Sequence, residues 1–177
     1  FADCAELMQT IIRLPKPVIA QVHGIATAAG AQLVASCDLA ISSQEARFAT
    51  PGVNIGLFCS TPMVALSRNL SNKHAMQMLL TGDLIDAQNA YRMGLVNEVV
   101  DAEQLESKTM ELARKLASKS PLTVAIGKEA YYRQAELPLS EAYDYTKEVM
   151  VRNLEARDAQ EGISAFIEKR HPVWCGK

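Results

Sequence analysis

The fold turns on Lys16-Pro17-Val18-Ile19-Ala20-Gln21-Val22-His23-Gly24-Ile25-Ala26-Thr27-Ala28-Ala29-Gly30-Ala31-Gln32-Leu33-Val34-Ala35-Ser36. Val18 to Val22 is an uncharged run rich in β-branched residues, of the kind that forms a short buried strand. Gly24 ends it, small residues follow, and Ala28-Ala29-Gly30-Ala31 opens a helix to about Ser36. The stretch therefore predicts strand, loop and helix in that order. Upstream, Leu7, Met8, Ile11 and Ile12 share helical spacing within Ala5 to Arg13, before Leu14-Pro15-Lys16-Pro17 breaks the helix. Downstream, Leu39 to Ser42 and Arg47 to Ala49 predict two short strands. Pro51 to Thr61 predicts a second loop, and Pro62 the first turn of a helix reaching about Leu70.

The pattern continues with a helix over Asn72 to Leu80, a helix capped by Asp86 and ended by Gly94, and a last strand over Val96 to Val100. Beyond it, Leu105, Leu112 and Leu116 lie on one helical face. Three further helices are predicted over Pro121 to Gln134, Ser140 to Leu154 and Arg157 to Arg170. Strands alternating with helices predict the α/β class, and repeated strand-loop-helix units favour a spiral over one flat sheet. Charge divides in the same way: residues 1–100 hold 7 acids and 6 bases, residues 101–177 hold 13 and 12. Two regions follow, a spiral core over 1–100 and a helical C-terminal region over 101–177.

Composition narrows the function classes. The 177 residues are 49% hydrophobic and 21% charged, which excludes a disordered chain. A net charge of -2, with no basic run interleaved with aromatics, argues against nucleic acid as a partner. Cys4, Cys37, Cys59 and Cys175 lie far apart in the sequence, which predicts a reducing compartment and neither disulfide nor zinc knuckle. The uncharged stretches Pro17 to Cys37 and Phe48 to Ser67 are interrupted by prolines, glycines and polar residues, so no membrane span is expected. With no initiator Met, signal or transit segment at Phe1, the sequence reads as a processed or truncated chain.

The loop His23 to Gly30 gathers free N–H groups at a helix start. Such a terminus can hold a phosphate, a carboxylate or a thioester oxygen that gains charge during reaction. A tight packing turn is the alternative on spacing alone.

Lys16 to Gly24, Ala29-Gly30-Ala31-Gln32-Leu33 and Cys37-Asp38 resemble the central signature of the crotonase (enoyl-CoA hydratase/isomerase) superfamily. Phe48, Pro51, Gly56, Thr81-Gly82, Ala87, Ala90, Gly94-Leu95-Val96 and Ala165-Phe166-Ile167-Glu168-Lys169-Arg170 extend the match over essentially the whole chain. The resemblance implies the crotonase spiral, with the part before Phe1 missing from this chain, and a C-terminal trimerisation region. It also implies an acyl-CoA thioester ligand, a homotrimer or dimer of trimers, a role in fatty-acid or lipid metabolism, and a mitochondrial location. No cofactor is expected apart from the coenzyme A carried by the ligand, and no metal.

Residue by residue, the resemblance assigns Ala29 as one oxyanion-hole backbone N–H, with the second donor in a segment before Phe1. Gly30, Met150, Phe166 and Lys169 match positions near the substrate and the coenzyme. Gln32 and Gly52 match the two positions that hold glutamates in hydratases. A glutamine takes no proton at neutral pH and a glycine offers no side chain, so the two-glutamate hydration mechanism is unsupported. Asn54, Cys59, Ser60 and Thr61 stand nearby. Cys59, near a helix start, is a speculative nucleophile or base; alternatively it is a small buried hydrophobe, with Ser60 or Thr61 as the helix cap. His23, Asp38 and Asp83 read as structural. Two functions remain: an acyl-CoA-binding protein that lost the acid/base pair, or an active hydratase, isomerase or thioesterase using non-standard side chains. Restoring both carboxylates, Gln32→Glu with Gly52→Glu, is expected to recover hydration if the loop at Gly52 has room.

Overall fold

The computed structural model describes residues 1–177 and opens with helix α1 (Ala2–Arg13). From there the chain runs alternately through two sheets. Strand β1 (Ile19–Val22) turns at Gly24 into β2 (Ile25–Thr27), and helix α2 (Ala29–Ser36) follows. Strand β3 (Leu39–Ser43) leads to β4 (Arg47–Ala49), a 3-10 turn over Pro51–Ile55, and helices α3 (Ser60–Asn69) and α4 (Asn72–Thr81). Strand β5 (Ile85–Asp86), helix α5 (Ala87–Met93) and strand β6 (Glu98–Val100) complete this part.

One sheet has the order β1-β3-β6 and is wholly parallel; the other has the order β2-β4-β5, with β5 antiparallel. Each of the first two turns of the chain gives one strand to each sheet and then a helix, which is the expected spiral. The predicted loop from His23 to Gly30 needs correcting, because Ile25–Thr27 is a strand paired with Arg47–Ala49. Gly24 carbonyl accepts from Arg47 N–H at 3.1 Å, and Ser43 Oγ donates to the His23 carbonyl at 3.2 Å, so the corner itself is held by its neighbours. Three residues are too few to show an alternating pattern, and β5, of two residues, was missed for the same reason. The last strand is shorter than expected: at Asn97 the backbone N–H donates to the Ala40 carbonyl at 2.7 Å, while the side-chain Oδ1 takes the place of a backbone carbonyl and accepts from Ala40 N–H at 2.8 Å.

Phe48, Leu66, Met78, Ala87 and Ala90 are fully buried, and the core around them is built from alanines and medium-sized residues. Small side chains let helices lie close on the sheets, while burial of residues such as Phe48 and Leu66 contributes about 1.5–3 kcal/mol each. Asp86 caps α5 by accepting from Asn89 N–H at 2.7 Å, and Gly94 ends it in the left-handed conformation, both as the sequence predicts.

The chain divides into two compact units, Phe1–Ile12 with Val18–Ala113, and Arg13–Pro17 with Arg114–Lys177. The division therefore falls later than the expected one after Val100. The reason is Leu105, at the start of helix α6 (Leu105–Ala117), which is buried against Ile41 and Val100.

The second unit holds helices α7 (Pro121–Gln134), α8 (Leu139–Glu155) and α9 (Arg157–Ile167). Helix α9 stops before the predicted Arg170 because Lys169 adopts φ 56, letting Arg170 N–H reach the Ala165 carbonyl and Lys169 N–H the Phe166 carbonyl. The following segment folds back along α9. Asp158, 1% exposed, accepts from Ser120 Oγ at 2.5 Å and from the N–H groups of Cys175 and Gly176. Glu161 pairs with both terminal nitrogens of Arg170 and accepts from Val173 N–H at 2.8 Å. Trp174 lies over Gly162 and donates from Nε1 to the Ser118 carbonyl. No helix is long and apolar enough to cross a membrane, and no disulfide joins any of the four cysteines.

These bonds set a pH dependence. The Ser120 hydroxyl, with the Cys175 and Gly176 N–H groups, holds Asp158 below the ordinary carboxylate range against the effect of burial. Arg170, aided by Val173 N–H, lowers Glu161 to about 2. A depressed carboxylate stabilises the fold fully above its unfolded pKa of about 4.3, and that contribution disappears as pH falls through the folded value. We expect the emission of Trp174, the single tryptophan, to shift to the red as pH falls from about 4.3 toward 2, and Glu161→Gln to flatten that transition. An emission maximum unchanged across this range would contradict the assignment.

Candidate functional site

The parallel pairing of β2 with β4 brings two segments to one end of their sheet. At the carboxyl end of β2 stands α2; at that of β4 stands the 3-10 turn. Open sites in parallel sheets form at this end of the strands. The pairing extends one residue beyond the strands, through Ala28 N–H to the Ala49 carbonyl at 3.0 Å.

Ala28 is the pivot. Its φ of 48° and ψ of −112° are unusual for a residue with a Cβ, a strain of about 1–3 kcal/mol. No side chain caps α2 and its first turn carries no acid, so the Ala29 N–H has no intrahelical acceptor and the positive end of the helix dipole is uncompensated. Ala29 is exposed and Gly30 half-buried. A methyl group added at Gly30 would meet only Ala26 Cβ, at 3.8 Å, so packing within the chain does not demand glycine there.

Gln32, one turn further along α2, is only 4% exposed. Its Oε1 accepts from Cys4 Sγ of α1 at 3.7 Å. Nothing in the sequence pointed to this contact, because the partners are 28 residues apart and no spacing pattern links them.

Gly52 lies in the 3-10 turn, and its carbonyl accepts from Leu57 N–H at 2.9 Å. A Cβ built at Gly52 would stand 2.7 Å from the Leu57 carbonyl oxygen and 2.9 Å from Cys59 Sγ. The room on which a glutamate at this position was conditional is therefore absent. The obstacle is a backbone carbonyl folded over the Cα of a residue whose own φ is not positive.

Cys59 occupies the N-cap position of α3 without a side-chain capping bond, and its half-buried sulfur packs against the core. Neither Ser60 nor Thr61 is the cap: Ser60 Oγ donates back to the Phe58 carbonyl at 3.3 Å, and α3 already begins at Ser60. Asn54 reaches the Gly82 carbonyl through a long bond of 3.5 Å. Gly82 has φ 67°, and a Cβ there would be 2.9 Å from Asn54 Nδ2 and 3.0 Å from Val53 Cγ2. The Thr81-Gly82 pair thus seats the loop of Gly52 against the end of α4.

His23 is exposed and lines, with Gly30, a groove of about 490 Å3 formed by β1, β2 and α2, which Ala29, Gln32 and Gly52 do not line. Asp38 accepts from Val18 N–H at 2.7 Å, and Asp83 N–H donates to Thr81 Oγ1, both structural roles. No three His, Cys, Asp or Glu side chains gather where a metal ion would be held.

In the second unit, Phe166 on α9 and Met150 on α8 are exposed, at 85% and 67%. Phe166 borders a groove of about 600 Å3 with Gly162, Ile163 and Trp174, which Met150 does not line. Lys169 follows in its left-handed conformation and forms no ion pair, whereas Arg170 beside it is committed to Glu161 and Glu168.

Residues 2–177 match the family model described as enoyl-CoA hydratase/isomerase. The chain is 55% identical over 174 residues to "Enoyl-CoA hydratase domain-containing protein 3, mitochondrial" of Xenopus laevis, covering 98% of this chain and 59% of that protein. It thus spans about three fifths of that relative's length. Among solved structures, an enoyl-CoA hydratase of Mycobacterium smegmatis superposes with a TM-score of 0.96 at 50% identity, covering 98% of this chain and 68% of the other. The human enoyl coenzyme A hydratase domain-containing protein 3 gives 0.95 at 53% identity, covering 98% and 69%. The spiral described above is therefore the crotonase fold.

The closed loop at Gly52 has a direct consequence. Gly52→Ala is expected to cost about 1–3 kcal/mol through overpacking, lowering the melting temperature by roughly 2–4 °C per kcal/mol. Gly52→Glu should cost at least as much, and adding Cys59→Gly should recover only part of the loss, since the Leu57 carbonyl remains. Thermal melts of the three variants check this; an alanine variant as stable as the parent would contradict it.

Proposed function

Since the chain belongs to the enoyl-CoA hydratase/isomerase family, we propose that it binds an acyl-CoA thioester, with the thioester oxygen at the Ala29 N–H, without the two-carboxylate hydration chemistry. One observation carries this reading: the uncapped N-terminus of α2 stands beside a neutral Gln32 and a Gly52 whose side-chain space is closed. An open N–H at a helix start suits an oxygen that carries partial negative charge. Adding water across a double bond needs groups that take and give protons, and the residues resembling the hydratase pair supply neither.

Gly30 keeps the approach to Ala29 low. Phe166 and Met150 are apolar surfaces suited to the adenine, and Lys169, free of ion pairs, suits the coenzyme phosphates. The relatives' names support a mitochondrial setting, and the ligand class a role in fatty-acid or lipid metabolism. Exposed Tyr143, Val151, Leu154 and Ile167 beside Met150 and Phe166 support self-association as a homotrimer or dimer of trimers. Sedimentation at micromolar concentration is expected to give a trimer or hexamer; a monomer would argue against assembly.

A second reading is an active enzyme with non-standard side chains. Its support is Cys59, whose sulfur stands where a residue-52 side chain would begin, at the entrance of α3. Crotonyl-CoA hydration separates the two. Binding without acid/base groups predicts turnover at least about 10²-fold below that of a two-glutamate relative. Comparable turnover, lost in Cys59→Ala, would support the enzyme.

The coenzyme end is tested independently. Lys169→Gly is expected to raise the melting temperature, because glycine removes a left-handed cost of about 1–2 kcal/mol. The same change should weaken acyl-CoA binding about tenfold and leave an acyl-pantetheine, which lacks the nucleotide phosphates, unaffected. Equal loss for both ligands would remove Lys169 from phosphate binding.

A further inference from the structure

Lys169, two residues beyond α9, has a φ of 56°, the left-handed conformation that a helix end usually gives to glycine. Its N–H donates to the Phe166 carbonyl at 3.3 Å and the Arg170 N–H donates to the Ala165 carbonyl at 3.0 Å, which fixes the turn from the helix side. From the other side the turn is fixed by one carboxylate. Glu161 accepts from Arg170 Nη1 at 2.6 Å and Nη2 at 2.9 Å, a two-pronged pair, and from Val173 N–H at 2.8 Å. Glu168 accepts from the remaining guanidinium nitrogen, Nε, at 2.6 Å. Arg170 is thereby occupied within the chain, and Lys169 beside it forms no ion pair. A conformation that is costly for a residue with a Cβ persists where its surroundings over-determine it, and such residues gather at ligand clamps. Here the strained position keeps a long cationic side chain, although glycine would relieve the strain.

We propose that Glu161 is a positioning residue for the nucleotide end of the ligand: through Arg170 and Val173 it holds Lys169 in the left-handed turn from which the ammonium meets the coenzyme phosphates. The inference rests on the acyl-CoA reading given above. Charge and position act in opposite directions here. Glu161 and Glu168 against Arg170 leave an excess of one negative charge, which by itself disfavours a phosphate. On charge alone, removing Glu161 would lift that excess, free the Arg170 fork for the ligand and tighten binding. A positioning role gives the opposite sign. Without the carboxylate, the segment from Arg170 to Val173 loses its anchor, the strained turn relaxes, and the ammonium is no longer held in place for the phosphates.

Calorimetric titration of the full chain with butyryl-CoA and with butyryl-pantetheine, which lacks the nucleotide, tests the proposal. Glu161→Ala is expected to weaken butyryl-CoA binding about threefold to tenfold and to leave butyryl-pantetheine unchanged. In a Lys169→Gly background the same substitution should have no further effect, because the group it positions is already gone. Arg170→Leu removes the pair from its other side while leaving the Val173 bond to Glu161 in place. It should give a loss of the same kind, again absent in the Lys169→Gly background, and it carries the test if thermal melts show the alanine variant unfolded. Tighter or unchanged butyryl-CoA binding by folded Glu161→Ala would overturn the proposal while leaving acyl-CoA binding intact. So would an equal loss for both ligands, or a loss that persists without Lys169. Absence of butyryl-CoA binding by the parent chain would overturn the acyl-CoA reading and this inference with it.

Discussion

The pairing of β2 with β4, continued by the Ala28 N–H bond to the Ala49 carbonyl, is the interaction on which the site depends. Two segments distant in sequence leave the same sheet, side by side and in the same direction. One becomes a helix within a single residue; the other becomes the turn that carries Gly52. The abrupt change from strand to helix is absorbed at Ala28, whose left-handed φ replaces a linker. That strain persists because the bonds on both sides of it leave the backbone little alternative: the ladder fixes the residues before, and Gln32 N–H to the Ala28 carbonyl fixes those after.

Around this pivot the chain is closely packed. The loop after Gly52 is drawn in until the Leu57 carbonyl and the Cys59 sulfur cover the glycine. Gln32 meets the Cys4 thiol of α1. The Gly82 contact with Val53 and Asn54 shows how the loop is kept there, since a side chain at Gly82 would push it away.

The sequence made the longer elements legible, because they carry explicit chemistry at their ends. Asp86 and Gly94 bracket α5, Pro121 opens α7, and the run before Gly24 is apolar and β-branched. It did not reveal β2 and β5, which are stabilised by pairing rather than by any pattern within two or three residues. It placed the helical region too early, because Leu105 belongs by packing to Ile41 and Val100 although its neighbours are charged. At the site, residue identities were readable and their environments were not. That Ala29 begins an uncapped helix follows from small residues after a strand. That a glycine is closed over by a carbonyl, or that a buried amide meets a cysteine thiol, depends on contacts between residues remote in the chain.

The alternation between sheets also sets the order in which the molecule can assemble. Strand β3 finds its second neighbour only in β6, and the Ala40 to Asn97 bond closes a loop of 57 residues. Contacts of that separation make the sheet-containing unit slow to form, because chain entropy is lost before the pairing that offsets it. Helices α7 to α9 make their contacts over shorter distances and have no such delay. During synthesis, the nascent chain must therefore hold β1 to β4 together with one edge of β3 unpaired until Glu98 to Val100 emerge, an interval in which that edge is open to chaperones or to another nascent copy.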